Sequence, residues 1–299
     1  MRTQSLLGKG GSAESWALRS VSGEEYIVQI GFPRDWQSRN RQEHEAPIPV
    51  LYAASYLTDG NSVFLSALES MHRHLCMRSS DTQGIVVAIG YPIPADSRFL
   101  LSACRTRDFT PPANGASGHE GGADVFLSFL QNKVKPLVAR RLYETRGATL
   151  GREALFGHSY GGLLSLHALF TRTDMFHCIL ASSPSIWWNE SYILTEERLF
   201  QEEIECQKKS PSLMLFVGDE EQNPTRRRGE DNDEYNRRLR RHRGLQMVDN
   251  VITMHSRLQE STRLDHLAMR VYDGEDHESV VACSLNRGLA TFLDDWPLI

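Results

Sequence analysis

One short turn constrains this chain more than any other stretch. Gly157-His158-Ser159-Tyr160-Gly161 has the pattern G-x-S-x-G, preceded by an apolar run at residues 154–156 and followed by an apolar helical pattern at Leu163, Leu164, Leu166, Leu169 and Phe170. Strand, sharp turn and helix therefore follow one another without a gap. The turn is so tight that a side chain at Gly157 or Gly161 would meet neighbouring backbone. It forces Ser159 into a strained conformation, with its hydroxyl exposed at the carboxyl edge of a sheet. The helix that follows adds N–H groups and the positive end of its dipole, which stabilise negative charge developing on an oxygen. A serine so placed reads as a nucleophile; the alternative is a chance glycine turn with an idle serine.

The flanking chain agrees with a sheet that uses such a turn. Apolar runs at residues 26–30, 49–52, 85–91, 178–181, 213–217 and 268–272 read as strands, and the run at 85–91 suits a central parallel strand covered on both faces. Helical patterns separate most of them, at residues 62–76, 122–142 and 280–292, with a further helix running to about Gln259. Strands alternating with helices predict an α/β architecture: one domain over residues 1–299, with a mostly parallel central sheet and helices on both faces. Residues 1–23, rich in Gly and Ser, read as a flexible N-terminal extension. Residues 91–122 lose all periodicity and read as a long loop of the kind that usually serves function.

Composition excludes several partners. The 299 residues are 40% hydrophobic and 24% charged with a net charge of -5, which gives no overall basic field for nucleic acid or an anionic membrane. The arginines from Arg226 to Arg243 alternate with Glu230, Asp231, Asp233 and Glu234 and read as a solvated face. Five scattered cysteines without a C-x-x-C pair suggest neither a disulfide framework nor a zinc site, so no metal ligands are assigned and free thiols in a reducing compartment are expected. The first residues lack the apolar core of a signal peptide, and no run approaches the roughly 18 apolar residues of a membrane span. A cytoplasmic location is expected.

A nucleophilic serine needs a base, and histidine is the side chain suited to accepting and returning a proton near neutral pH. In sheets built around this turn the chain order is Ser, then acid, then His, with acid and base on loops after late strands. His277 fits, lying just past the final strand and before the final helix, whereas His255 and His266 lie within or just beyond a helical pattern and His242 lies in the arginine run. The acid should follow the strand at 213–217, where Asp219, Glu220 and Glu221 stand together. Glu221 ranks first because a short turn after Gly218 carries the third acidic residue towards the histidine loop; Asp219 and Glu220 remain open. The oxyanion donors expected are the N–H of Tyr160 and an N–H from the earlier Thr58-Asp59-Gly60-Asn61 turn, at Gly60 or Asn61.

GHSYGGL at 157–163, SPSIWWN at 183–189, TDGN at 58–61, RTRDFTP at 105–111 and DGEDH at 273–277 occur in one order along the chain. Together they resemble the putative-esterase family of α/β-hydrolases, and within it the siderophore esterases of the fungal fusarinine and triacetylfusarinine C type and the bacterial enterobactin and salmochelin type. The resemblance implies a serine esterase acting on a ferric siderophore, most directly a fungal tri-hydroxamate, with Ser159 and His277 as nucleophile and base; some members manage with a Ser-His dyad. Iron would then belong to the substrate, and no cofactor is implied. Arg105 and Arg107 would inherit the family's contact with the iron-bound substrate, since guanidinium groups can donate several hydrogen bonds to a chelate's oxygens; alternatively Arg105 and Asp108 pin the loop together. Trp187 and Trp188 would form an apolar wall beside the ester, or pack internally. The rival readings are a general carboxylesterase or thioesterase, similar to S-formylglutathione hydrolase or a feruloyl esterase, and a non-catalytic ferric-chelate binding protein.

Overall fold

The computed structural model describes residues 13–34, 47–54, 60–77, 83–92, 98–113, 120–203 and 210–294. The strands are β1 (Ala13–Arg19), β2 (Glu25–Gly31), β3 (Ile48–Ala54), β4 (Ile85–Gly90), β5 (Leu150–His158), β6 (Cys178–Ser182), β7 (Ser212–Gly218) and β8 (Leu267–Tyr272). The helices are α1 (Gly60–Cys76), α2 (Arg98–Phe109), α3 (Ala123–Phe129), α4 (Lys135–Arg146), α5 (Tyr160–Thr171), α6 (Trp188–Ser191), α7 (Ile193–Glu202), α8 (Asn232–Leu245), α9 (Met247–Leu258) and α10 (Val280–Leu293). All eight strands form one sheet in the order β1-β2-β4-β3-β5-β6-β7-β8. From β4 to β8 every pairing is parallel, and β1 and β2 add an antiparallel hairpin at one edge.

The central strands carry apolar side chains on both faces because both faces are covered. On β5, Leu155 joins one core with Tyr52, Leu163, Leu166 and Val251, while Ala154 and Phe156 join the other with Phe64, Met71, Leu285 and Phe292. Helices α1 and α10 thus roof one face, and α3, α4, α5, α7 and α9 the other. Each such aliphatic or aromatic side chain stabilises the fold by about 1.5–3 kcal/mol on leaving water.

Four segments differ from the sequence reading. Residues 13–19, within the stretch expected to be a flexible extension, form the edge strand β1. Its seven residues pair with β2 from Ala13 opposite Gly31 to Arg19 opposite Glu25. The cause is tertiary: Trp16 lies under the Arg141 guanidinium at 5.4 Å, and Glu14 holds the same group through Nε and Nη2 at 2.8 and 2.6 Å. The expected loop at 91–122 contains α2, which its flanking prolines and glycines concealed. The long charged helix is two helices: α8 has no buried residue, whereas α9 buries Met247, Val251, Met254 and Leu258 on one face. Gln246, in the left-handed region at φ 49, makes the change of direction between them. The helical pattern at 122–142 also contains a π turn, Leu130–Val134, just before Pro136, a residue with no N–H to give an α-helix. Among the described residues no helix is long and apolar enough to cross a membrane.

Candidate active site

Strand β5 ends at His158, and the next residue turns the chain. Ser159 has φ 61 and ψ -119, a conformation that costs a residue with a side chain about 1–3 kcal/mol. Backbone bonds on both sides hold it there: its N–H donates to Ser182 O at 3.0 Å, and its carbonyl accepts from Leu163 N at 3.0 Å and Ser185 N at 3.2 Å. The glycine requirement is steric. A Cβ on Gly157 would stand 1.9 Å from Gly161 O, and one on Gly162 would stand 2.8 Å from Ser182 O. The Ser159 hydroxyl is almost buried, with its Oγ 3.5 Å from Ser185 Oγ.

Strand β7 ends at Gly218, followed by the single 3-10 turn Asp219–Glu221. Glu221 is buried, and each of its carboxylate oxygens is occupied. Oε2 accepts from His277 Nδ1 at 2.6 Å; Oε1 accepts from Ser183 Oγ at 2.5 Å and from Gly218 N at 2.8 Å. With Nδ1 donating to the carboxylate, Nε2 is the basic nitrogen of the neutral His277 ring. The other two acids of the run have different duties. Asp219 Oδ1 accepts from Gly274 N at 2.8 Å, and Glu220 N donates to Glu275 O at 3.2 Å. Both stitch the acid turn to the histidine loop, and at Gly218 the two segments meet so closely that a Cβ would lie 2.1 Å from Glu275 O.

The acid is dry and the base is wet: the Glu221 side chain is 1% exposed and that of His277 34%. Of the other histidines, His242 lends its Nδ1 to Glu221 O at 3.0 Å, bracing the acid's backbone. His255 stands on α9, and His266 pairs loosely with Asp265 at 3.6 Å. Sequence reasoning passed over Ser183, which holds Glu221 from the end of β6 with φ 42, and His158, whose ring lies 4.5 Å from that of His277. The one local signal for Ser183 was the Ser182-Ser183-Pro184 break after an apolar strand.

Tyr160 opens α5, so its N–H lies at the helix N-terminus beside Ser159. Its ring lies 6.1 Å from Trp187, which is half-buried. Gly60 and Asn61 are the first two residues of α1; their side chains, and Thr58 and Asp59, lie outside the described residues. Trp188 is buried in the core and donates from Nε1 to Glu120 Oε1 at 3.2 Å. Beyond it Asn189, Glu190 and Ser191 all take left-handed φ values of 46, 56 and 61.

The two arginines part company. Arg105 is buried on α2 with its guanidinium carbon 5.7 Å from the Phe109 ring centre, close enough to His158 and Tyr91 to act on both electrostatically. Arg107 is tied elsewhere, to Asp108 Oδ1 at 2.7 Å and Glu24 Oε1 at 3.2 Å. It joins α2 to the β1–β2 hairpin. Asp108 completes that knot by accepting from Tyr26 and Tyr91 hydroxyls at 2.8 and 2.9 Å. Among the described residues no group of three His, Cys, Asp or Glu side chains stands as metal ligands would. A cavity of about 570 Å³ touches Lys135, Glu153 and Asp174. It lies at the start of β5, at the far end of the strand from Ser159.

Residues 20–278 match the family model described as putative esterase. The chain is 42% identical over 287 residues to the siderophore triacetylfusarinine C esterase of Aspergillus fumigatus, covering 96% of this chain and 94% of that one. It is 38% identical to the siderophore enterobactin esterase of Emericella nidulans, covering 93% of this chain and 94% of the relative. Among solved structures it is similar to the siderophore hydrolase EstB from Aspergillus nidulans, with a TM-score of 0.87 and 37% identity over 100% of this chain and 99% of that one.

Proposed function

We propose that this chain, which belongs to the putative esterase family, is a serine esterase that cuts the ester bonds of a ferric siderophore, a cyclic tri-hydroxamate of the triacetylfusarinine C kind. The observation that carries this reading is the 42% identity to a triacetylfusarinine C esterase across 96% of the chain. The contact of Glu221 with His277 and the strained turn at Ser159 supply the chemistry.

Ser159 Oγ attacks the ester carbonyl while His277 Nε2 takes its proton. Glu221, already bonded to Nδ1, stabilises the imidazolium that forms. The Tyr160 N–H and a second donor from Gly60 or Asn61 receive the oxyanion. His277 then gives the proton to the departing alcohol oxygen, and an acyl-enzyme remains on Ser159. Water, deprotonated by His277, releases the acid and restores the serine. Arg105 and Trp187 are proposed to face the chelate. Iron travels as part of the substrate, and ester hydrolysis on these residues calls for no cofactor. Opening the ring weakens the chelate, because linked arms bind iron at a high effective concentration that cutting reduces. The cytoplasm is the compartment proposed, a setting that suits the four described cysteines, Cys76, Cys104, Cys178 and Cys283, all free.

The test is a mass-spectrometric hydrolysis assay comparing ferric triacetylfusarinine C, ferric fusarinine C and ferric enterobactin with p-nitrophenyl acetate and S-formylglutathione. Ferric triacetylfusarinine C is expected to be cut fastest, with turnover lost in Ser159→Ala. Cleavage of the small esters alone would remove the siderophore reading and leave the serine mechanism.

A further inference from the structure

Ser182, which ends β6, and the three residues after it touch both halves of the site. On one side they grip the nucleophile: Ser159 N–H donates to Ser182 O at 3.0 Å, and Ser185 N–H donates to Ser159 O at 3.2 Å. On the other side Ser183 meets the acid. Its N–H donates to Phe216 O of β7 at 2.7 Å, and its hydroxyl donates to Glu221 Oε1 at 2.5 Å. The segment lies hard against the elbow helix, since a Cβ on Gly162 would stand 2.8 Å from the Pro184 α carbon. Neither grip can slacken by a shift of the backbone towards α5.

Ser183 is an awkward residue for its place. It is fully buried, and its φ of 42 puts it in the left-handed region, where glycine sits without a steric penalty and serine does not. What serine adds over glycine there is a hydroxyl. A carboxylate has only lone pairs to offer, so that hydroxyl gives its proton to Glu221. Among the described residues three donors hold the carboxylate: Ser183 Oγ and Gly218 N on Oε1, and His277 Nδ1 on Oε2. Two donors on Oε1 restrict rotation of the carboxylate and present Oε2 to the histidine at 2.6 Å. Gly218 begins the acid's own turn and moves with it. Ser183 belongs to the segment that holds Ser159, so its bond fixes the acid relative to the nucleophile.

We propose that Ser183 is a positioning residue for ester hydrolysis: its hydroxyl sets Glu221 against the turn that carries Ser159, so that acid, base and nucleophile share one frame. The inference rests on the esterase reading of Ser159 and His277. Without the hydroxyl, Oε1 keeps the Gly218 N–H, the carboxylate turns more freely, and the ring bonded to Oε2 turns with it. Proton transfer from Ser159 is then the step that suffers, while ester binding is not.

The test is steady-state hydrolysis of p-nitrophenyl acetate by the full chain carrying Ser183→Ala or Ser183→Gly, each alone and combined with Glu221→Gln, beside wild type, Glu221→Gln and Ser159→Ala. Folding is followed by circular dichroism. A hydrogen bond to a charged group is worth on the order of tenfold or more, so Ser183→Ala is expected to lower kcat at least about tenfold, with KM within about twofold. Ser183→Gly lacks the same hydroxyl but relieves the left-handed strain, which guards against an alanine variant that does not fold. Its kcat is expected within about threefold of that of Ser183→Ala. In Glu221→Gln the amide oxygen stays on Gly218 N and the NH2 faces His277, so there is no acceptor left to position. Removing the Ser183 hydroxyl in that background is expected to cost less than about twofold, whereas a merely structural hydroxyl would cost the same factor in both. Unchanged kcat in either folded single variant, an equal loss in the Glu221→Gln background, or failure of both single variants to fold would each overturn the positioning role. A wild type without activity, or a fully active Ser159→Ala, would instead overturn the esterase reading on which it rests.

Discussion

Two histidines with the same burial, 1% exposed each, one just before the elbow helix and one within it, carry different charge states. His158 precedes the turn and is kept neutral, first by burial and then by its neighbours His277 and Arg105. His167 lies on α5 between Asp124 of α3 and Glu196 of α7. Its Nδ1 is 2.8 Å from Glu196 Oε2, and its Nε2 is 3.6 Å from Asp124 Oδ1. Burial opposes its charge too, but the adjoining carboxylates of Asp124 and Glu196 outweigh it and raise the ring to about 9. Burial alone therefore does not decide whether a histidine is an ion; its neighbours do. The ring before the helix is neutral, and the one within it is an ion that fastens three helices.

The sharpest way to separate the two regions is to remove one carboxylate from each. Glu221→Gln takes the acceptor from His277 Nδ1 and leaves the core intact. It is expected to lower kcat/KM by about 10³-fold or more while the melting temperature of the variant stays near wild type, as read by ester turnover and thermal unfolding. Glu196→Gln should do the reverse. Breaking a buried pair by removing one partner costs about 3 kcal/mol or more, measured by urea unfolding, and activity per folded molecule should be unchanged.

The comparison also predicts opposite responses to pH. The raised His167 contributes stability that is fully present below its unfolded value, about pH 6.5, and is lost as pH rises through about 9. The swing is about 3 kcal/mol in wild type and should shrink in Glu196→Gln, visible in urea midpoints taken on the two sides of that window. The depressed His158 works the other way: its contribution is present above about pH 6.5 and lost as pH falls below it. The smallest expected effect is that of Asp124→Asn. The neighbouring His167 leads in holding Asp124 down to about 2, so its contribution is present above the ordinary aspartate range and lost as pH falls through about 2. The side chain is 45% exposed and shared with Arg172, so solvent screening limits the loss at neutral pH to about 0.5–1 kcal/mol.

What could be read from the sequence was whatever depends on local geometry or chain order. The strain at Ser159 follows from Gly157 and Gly161 within one turn, and the strands of the parallel sheet announce themselves as apolar runs because each is covered on both faces. The meeting of Glu221 with His277 was legible from the order of loops after late strands. What was hidden depends on partners far along the chain. β1 looks like a polar tail until Arg141 is placed over Trp16. The pairing of Arg107 with Glu24, which joins α2 to the first hairpin, leaves no local pattern. The burial of Trp188 is likewise decided by the core around it. The contrast between His158 and His167 is hidden most completely, because a charge state belongs to the packed neighbourhood and leaves no pattern in the chain.

The central claim is that Ser159 is a nucleophile made reactive by a base held from behind. Intact-protein mass spectrometry after exposure to a fluorophosphonate tests it directly. Wild type should gain a single phosphonyl adduct, found on the peptide containing Ser159, with labelling absent in Ser159→Ala and strongly slowed in His277→Ala. An adduct that persists in Ser159→Ala, or a wild type that gains none, would contradict the account.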